Sequence, residues 1–168
     1  MKVKSFLGQK SVWVGGFQQS GPLVEKLWSK AISVIARNEM TKQSSQNILI
    51  LGLGCGSVLK PLFKKFPDCQ ITGVEIDREM IETGKKYFNL EKYSNLRIVC
   101  DNAKNFCRKT KEKYDLILVD MYKGNVPEKS LPYKNILNKN GVVLTNHLEG
   151  LKNRVSVFSF EPKKIITR

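Results

Sequence analysis

Three carboxylates stand where short apolar runs end. Glu75 closes Gln70 to Val74, Asp101 follows Leu96 to Cys100, and Asp120 closes Tyr114-Asp-Leu-Ile-Leu-Val. A fourth apolar run, Ile48 to Leu51, leads into three glycines at alternate positions, Gly52, Gly54 and Gly56. Glycine lets a ligand approach the main chain closely. An acidic residue roughly 20 residues beyond such a corner is placed to accept hydrogen bonds from ribose hydroxyls. Glu75, with Ile76 beside it, has that spacing. Asp101, flanked by Asn102 and Ala103, can accept from a purine amino group. Asp120 would lie near a positive centre on the ligand and near whatever attacks it. Acidic groups at successive strand ends suit a ligand carrying a sugar, a purine amino group and a sulfonium. The alternative is local: an aspartate before a helix often does no more than cap it. The joint occurrence of the three favours a site.

The glycine spacing bears on the ligand as well. A dinucleotide fingerprint runs G-x-G-x-x-G and sets a pyrophosphate on a helix N-terminus. This chain has G-x-G-x-G, and Ser57 and Val58 leave no glycine where the longer spacing needs one.

Elements must position these groups. Ile48 to Leu51 has no polar break, as in a parallel strand buried on both faces. Gln70 to Glu75, Leu96 to Cys100, Tyr114 to Asp120 and Gly141 to Asn146 are the further strands. Between them, Val58, Leu59, Leu62 and Phe63 mark a short helix that Pro67 ends. Asp77 caps a helix carrying Met80, Ile81, Tyr87 and Phe88, Asn102 to Lys113 reads as a third, and Pro127 to Leu137 as a fourth. The pattern βαβαβαβαβ implies an open, doubly wound, mostly parallel α/β sheet in three α/β/α layers. Ligands of such sheets bind beyond the carboxyl ends of the strands.

Ahead of the sheet, Val12-Trp13-Val14 is β-prone and Gly15-Gly16 makes a turn. Leu23, Val24, Leu27, Trp28, Ile32 and Ile35 recur at helical spacing over 22–37, with Trp28 placed in the core. Residues 38–46 are a polar link. Residues 1–46 are thus a short strand segment plus a covering helix, and 47–168 the cofactor-binding part of one compact domain. The tail from Arg154 to Thr167 is expected as a hairpin on the sheet edge.

The 168 residues suffice for one domain with a real core. No apolar run approaches the ~20 residues of a membrane span, and the N-terminus lacks the continuous apolar stretch of a signal peptide. Four cysteines, Cys55, Cys69, Cys100 and Cys107, form no C-x-x-C pair, and His147 is the single histidine. Zinc is therefore not expected. Cys69, Cys100 and Cys107 read as buried or half-buried, and a reducing cytoplasm fits. The formal net charge is +14, from 29 Lys+Arg against 15 Asp+Glu. That favours anionic partners, with nucleic acid among them, or a surface built from lysine for solubility. No aromatic RNA-binding motif tips the balance.

GLGCGS resembles the first motif of S-adenosylmethionine-dependent methyltransferases, whose ligand carries ribose and adenine but no phosphate. With VEIDREMIETGKKYF, CDNAKNF and YDLILVD, the chain resembles the spermidine synthase family within the Rossmann-like methyltransferase superfamily, from about Val12 to His147. The resemblance implies S-adenosylmethionine or its decarboxylated form as cofactor, with Gly52, Gly54, Cys55 and Gly56 at the corner, Glu75 on ribose and Asp101 on adenine. It implies Gln19 as a ligand-contacting glutamine and Asp120 as the base towards an attacking amine. It also implies a possible homodimer.

There are departures from the family pattern. Cys55 stands where the family has an aspartate that holds the amino group of the decarboxylated cofactor. Lys123 replaces a second aspartate after Asp120, and the C-terminal substrate part and N-terminal strand domain are short or absent. A dicationic diamine needs paired carboxylates, because an uncompensated buried charge is costly. The expectation is therefore a methyltransferase of spermidine-synthase-like type acting on an unidentified acceptor. Asp120 would be its base, with His147, in a loop just past the fifth strand, as a further candidate. Aminopropyl transfer and a non-catalytic nucleoside- or partner-binding module are the alternatives.

Overall fold

The computed structural model describes residues 1–38, 46–123, 126–127, 131–149 and 152–159. The N-terminal residues form an antiparallel meander of β1 (Lys2–Phe6), β2 (Gln9–Val14) and β3 (Phe17–Ser20). Only the end of β2, Val12 to Val14, was expected. The strand β1, KVKSF, is exposed along its whole length, so it carries no apolar alternation to read. Helix α1 (Pro22–Asn38) follows, close to the expected span.

The central sheet has six strands in the order β11-β10-β7-β4-β5-β6. These are β4 (Asn47–Leu51), β5 (Gln70–Glu75), β6 (Leu96–Cys100), β7 (Tyr114–Val119), β10 (Leu137–Glu149) and β11 (Lys152–Ser159). All are parallel except β11, which runs antiparallel to β10 at the edge. Chain order reverses between β4 and β7, which places the switch point there.

The unbroken apolar strands are explained by burial on both faces. Ile48, Ile50, Leu116 and Leu118 point to one side, against Trp28, Ile32 and Ile35 of α1 and Leu59 and Leu62 of α2 (Leu59–Lys65). Leu49, Leu51, Ile117 and Val119 point to the other, against Phe106 and Cys107 of α4 (Ala103–Lys109). Helix α3 (Arg78–Phe88) starts on Asp77, whose side chain accepts from the amides of Glu79 and Met80. The result is the expected doubly wound, Rossmann-like three-layer arrangement.

Several expectations need correction. Helix α4 stops at Lys109 rather than Lys113. Thr110 is extended, and its hydroxyl accepts from the Glu112 amide at 3.2 Å, a local bond that competes with helix. No described residue of 127–137 is α-helical. Val126–Pro127 is the short strand β9, paired with β8 (Tyr122–Lys123), and Tyr133–Asn135 is one 3-10 turn. Pro127 and Pro132 both bias their preceding residues away from helix. Residues 128–130 of that expected helix lie outside the described residues, as do 39–45 of the polar link and 160–168 of the tail.

Lys139-Asn140-Gly141 is absorbed as an irregularity within β10, between Leu137 and Val142, and does not form a separate turn. The strand then runs three residues beyond Asn146 because β11 supplies its partners. His147 therefore lies within a strand, paired with Arg154, and not in a loop. Of the expected tail hairpin, Arg154 to Ser159 belongs to β11, which forms a hairpin with β10 and not with the tail, and the remainder lies outside the described residues. Cys100 is exposed, unlike Cys69 and Cys107, because it sits at the open end of the edge strand β6. No helix among the described residues is long and apolar enough to cross a membrane.

Gly52 is the position where the sheet tolerates no side chain. It has φ +88°, and a Cβ there would overlap the carbonyl oxygen of Asp120 on the neighbouring strand. Backbone strain alone costs about 1–3 kcal/mol, and the clash adds to it. Gly52→Ala is therefore expected to lower the urea midpoint by at least that equivalent, with the denaturant slope unchanged. A wild-type midpoint would contradict this packing.

Candidate active site

The glycine corner turns over the end of β4 and is closed by its own hydrogen bonds. The Gly52 and Leu53 amides both donate to Val74 O, at 2.9 and 3.0 Å. The Gly54 amide donates to Glu75 Oε2 at 2.8 Å, that of Cys55 to Ser20 Oγ at 3.1 Å, and that of Gly56 to Leu53 O at 3.0 Å. Every amide from Gly52 to Gly56 is engaged, so none is left to cradle a pyrophosphate. That agrees with the spacing and with a nucleoside ligand lacking phosphate. Gly56 serves packing: a Cβ there would overlap the Leu90 side chain.

Residues 19–21 lie against this corner. Ser20 holds the Cys55 amide, and the Gly21 amide donates to Ser57 Oγ at 2.8 Å. Gln19 is exposed beside them, and its carbonyl oxygen approaches Gly54. The sequence reading singled out Gln19 but missed Ser20 and Ser57, because a lone serine has no periodicity to betray it.

Glu75 is half-buried and accepts from two amides, Gly54 on Oε2 and Asp77 on Oε1 at 3.0 Å. A carboxylate offers about four acceptor positions, so ribose hydroxyls can share it. Next to it, Ile76 is 66% exposed, an apolar surface at the open end of the strands that suits a purine face. Asp101 stands on the adjacent strand end, where Cys100 pairs with Glu75. Asp101 Oδ1 accepts from the Asn102 amide at 2.7 Å. Asn102, not Asp101, caps α4, accepting from the amides of Lys104 and Asn105. The capping alternative thus falls on Asn102 and leaves Asp101 for a ligand. Ala103 is buried in the core below.

Cys55 points the other way. It packs with Val12 and Met80, its Sγ lying 3.3 Å from Met80 Sδ and 3.5 Å from Met80 O. Burial pushes its thiol up to about 12, so it is neutral at physiological pH. Its contribution to the corner is a backbone one.

Asp120 sits at the end of β7, a half-buried residue whose carboxylate is enclosed by protein. Trp28 Nε1 donates to Oδ2 at 3.0 Å, and Asn146 Nδ2 donates to Oδ1 at 2.8 Å. Burial raises the carboxyl above the ordinary aspartate value, the two donors oppose that shift, and the like charge of Glu75 adds to it. A carboxyl raised on folding favours the folded state below its unfolded value, and that contribution is lost as pH rises through the folded value. Holding Asp120 ionised therefore costs stability, a pattern concentrated at functional sites.

Trp28 was placed in the core, and its ring is there, but its N–H is part of the site. Buried tryptophan N–H groups seek a partner, which is the signal that was available. Asn146 was not singled out, although it is the polar end of an apolar strand lying level with Asp120. Side-chain positions of His147 and Lys123 are outside the described residues. Among those described, no group of His, Cys, Asp and Glu could hold a metal ion.

The thiols give a direct test. Burial also raises Cys69 and Cys107, to about 11 each, whereas Cys100 is exposed. A thiol-specific reagent followed by intact-mass measurement is expected to modify Cys100 in the folded protein and the other three only in denaturant. Rapid labelling of Cys55 in the folded state would contradict its placement.

Comparison with known proteins places this geometry. Residues 29–157 match the model of the spermine/spermidine synthase domain. Polyamine aminopropyltransferase 2 of Aquifex aeolicus (strain VF5) is 30% identical over 150 residues, covering 80% of this chain and 30% of that relative. The eEF1A lysine and N-terminal methyltransferase homolog of Drosophila pseudoobscura pseudoobscura is 32% identical over 83 residues, or 48% of this chain and 12% of that protein. The crystal structure of a probable spermidine synthase from Corynebacterium glutamicum ATCC 13032 superposes with a TM-score of 0.71 at 16% identity, covering 87% of this chain and 60% of that one. At that identity the likeness is one of fold. The chain spans under a third of the Aquifex relative's length and an eighth of the Drosophila protein's. The expected preference for methyl over aminopropyl transfer is not supported by these matches. The matched span runs from α1 into β11 and takes in the glycine corner and every carboxylate of the site, and the chain belongs to the spermine/spermidine synthase family.

Proposed function

We propose that this chain binds an S-adenosyl sulfonium nucleoside and transfers its aminopropyl group to an amine. The observation that carries the reading is the Asp120 carboxylate. It is held between two neutral donors at the switch point, with no cationic side chain bonded to it among the described residues. Glu75 would hold the ribose, Ile76 and Asp101 the adenine. When bound, the sulfonium supplies an electrophilic carbon. The protein's part is to align an amine with that carbon and to remove the amine's proton at Asp120. Family membership and the aminopropyltransferase relative support this donor group over methyl.

A second reading, methyl transfer, is favoured by one observation. Where the family pattern has an aspartate this chain has Cys55, whose buried thiol packs on Val12 and Met80, so that position offers no carboxylate to an aminopropyl ammonium. Product analysis separates the two. Incubation with an amine and decarboxylated S-adenosylmethionine is expected to release methylthioadenosine and give an acceptor heavier by one aminopropyl group. S-adenosylhomocysteine formed from S-adenosylmethionine instead would establish the second reading.

Asp120→Asn is expected to lower turnover by about 10²–10⁴-fold, the usual range for a positioned base. The wild-type rate should fall on acidification along a limb lying above the ordinary aspartate range, since the base must be ionised and burial raises it. A variant with undiminished turnover would remove Asp120 from the mechanism.

A further inference from the structure

Asn146 is bonded at one end of its amide only. The residue is 3% exposed, Nδ2 donates to Asp120 Oδ1, and its own Oδ1 is buried with no hydrogen-bond partner. Native proteins seldom leave a buried amide oxygen bare, so the orientation has to be imposed. The charge on Asp120 imposes it, since the reversed amide would set oxygen against carboxylate. Neither flanking strand offers relief, because Asn146 pairs with Val155 on β11 and follows Thr145, which is level with Val119 on β7.

The other partner of Asp120 behaves differently. An indole N–H only donates, so Trp28 is best matched by Oδ2 as a bare acceptor in either protonation state. A proton arriving at Asp120 is therefore better placed on Oδ1, the oxygen that faces Asn146. An amide, unlike an indole, can serve both states: its nitrogen donates to a carboxylate, and its oxygen accepts from a carboxylic acid.

We infer that Asn146 is a positioning residue for Asp120, donating to Oδ1 while the carboxylate is charged and turning its amide over to accept from Oδ1–H once the proton has arrived. This rests on the reading of Asp120 as base. The proton leaves the acceptor's ammonium nitrogen, the electron pair of that N–H bond becomes the lone pair that forms the new bond to carbon, the carbon–sulfur bond breaks with its pair going to the sulfur of the departing methylthioadenosine, and the proton resides on Oδ1 until water takes it. The groups facing Asp120 are Trp28 from α1, Asn146 from β10 and, at longer range, Glu75 from β5, whose like charge favours protonation.

The test is a pH titration by NMR of ¹³C,¹⁵N-labelled protein, following the Asp120 carboxyl carbon, the Asn146 side-chain amide and the Trp28 indole N–H. In wild type the Asn146 amide signals should move with the midpoint of the Asp120 carbon. In Asn146→Ala the Asp120 midpoint should shift upward, because the charged form has lost a donor, while an unmoved Trp28 signal reports the intact fold. Asn146→Gln should recover part of the shift. Asn146 signals that stay flat through the Asp120 titration, or an unshifted midpoint in Asn146→Ala, would overturn the inference. If the alanine variant fails to fold, the wild-type titration decides alone. No cofactor or acceptor is needed, so this outcome is separable from the assignment of the base. An Asp120→Asn protein that keeps full turnover would sink that assignment and leave the titration untouched.

Discussion

The Asp120 carboxylate is drawn away from water where β4 and β7 run side by side, and it stays there because two neutral donors reach it from different elements. One of them, the Trp28 indole, belongs to a ring wholly buried between α1 and the sheet. Docking the covering helix and placing the carboxylate are therefore a single event. The other donor, Asn146, comes from β10, level with Asp120 on the far side of β7. Removing either donor would leave a buried charge short of a hydrogen bond, a loss larger than that of an ordinary neutral pair. The sheet order fixes the same place. Gly52 must be glycine because the Asp120 carbonyl occupies the space a Cβ would need, so the glycine corner and Asp120 are held in register by main-chain contact.

The corner itself is a closed hydrogen-bonded unit. Ser20 and Glu75 take two of its amides, which ties residues 19–21 and the end of β5 to the turn that follows β4. The corner's amides are thereby spent within the protein, and none from Gly52 to Gly56 is left for a phosphate. The arrangement also assigns different work to neighbouring residues. Gly52 and Gly56 answer to packing, whereas the Gly54 amide holds the Glu75 carboxylate.

Much of this was legible from residue types. Strands buried on both faces show as apolar runs, and so β4, β5 and β7 could be read to within a residue; the half-buried edge strand β6 was also read to its ends. Carboxylates at their ends marked the open edge of the sheet. What escaped notice obeyed weaker signals. The strand β1 is wholly exposed and alternates nothing. Tyr133–Asn135 forms only a 3-10 turn after Pro132, which biases its preceding residue away from helix. The strand β10 outruns its apolar core because an antiparallel partner, not burial, carries its far end. Ser20, Ser57 and Asn146 act through single hydrogen bonds across long sequence separations, which leave no local pattern. Trp28 was placed in the core correctly, yet its N–H belongs to the site, and the two roles coexist in one side chain.

We propose that the corner, Glu75 and Ile76 form a site for an adenosine carrying a sulfur substituent at its 5′ carbon. Calorimetric titration with methylthioadenosine tests it most directly, because this ligand keeps the nucleoside and the sulfur and discards both the ammonium and the carboxylate of the fuller cofactors. Saturable one-to-one binding is expected, lost in Glu75→Ala while the fold is retained. Absence of binding to wild type, or binding undiminished by that substitution, would contradict it.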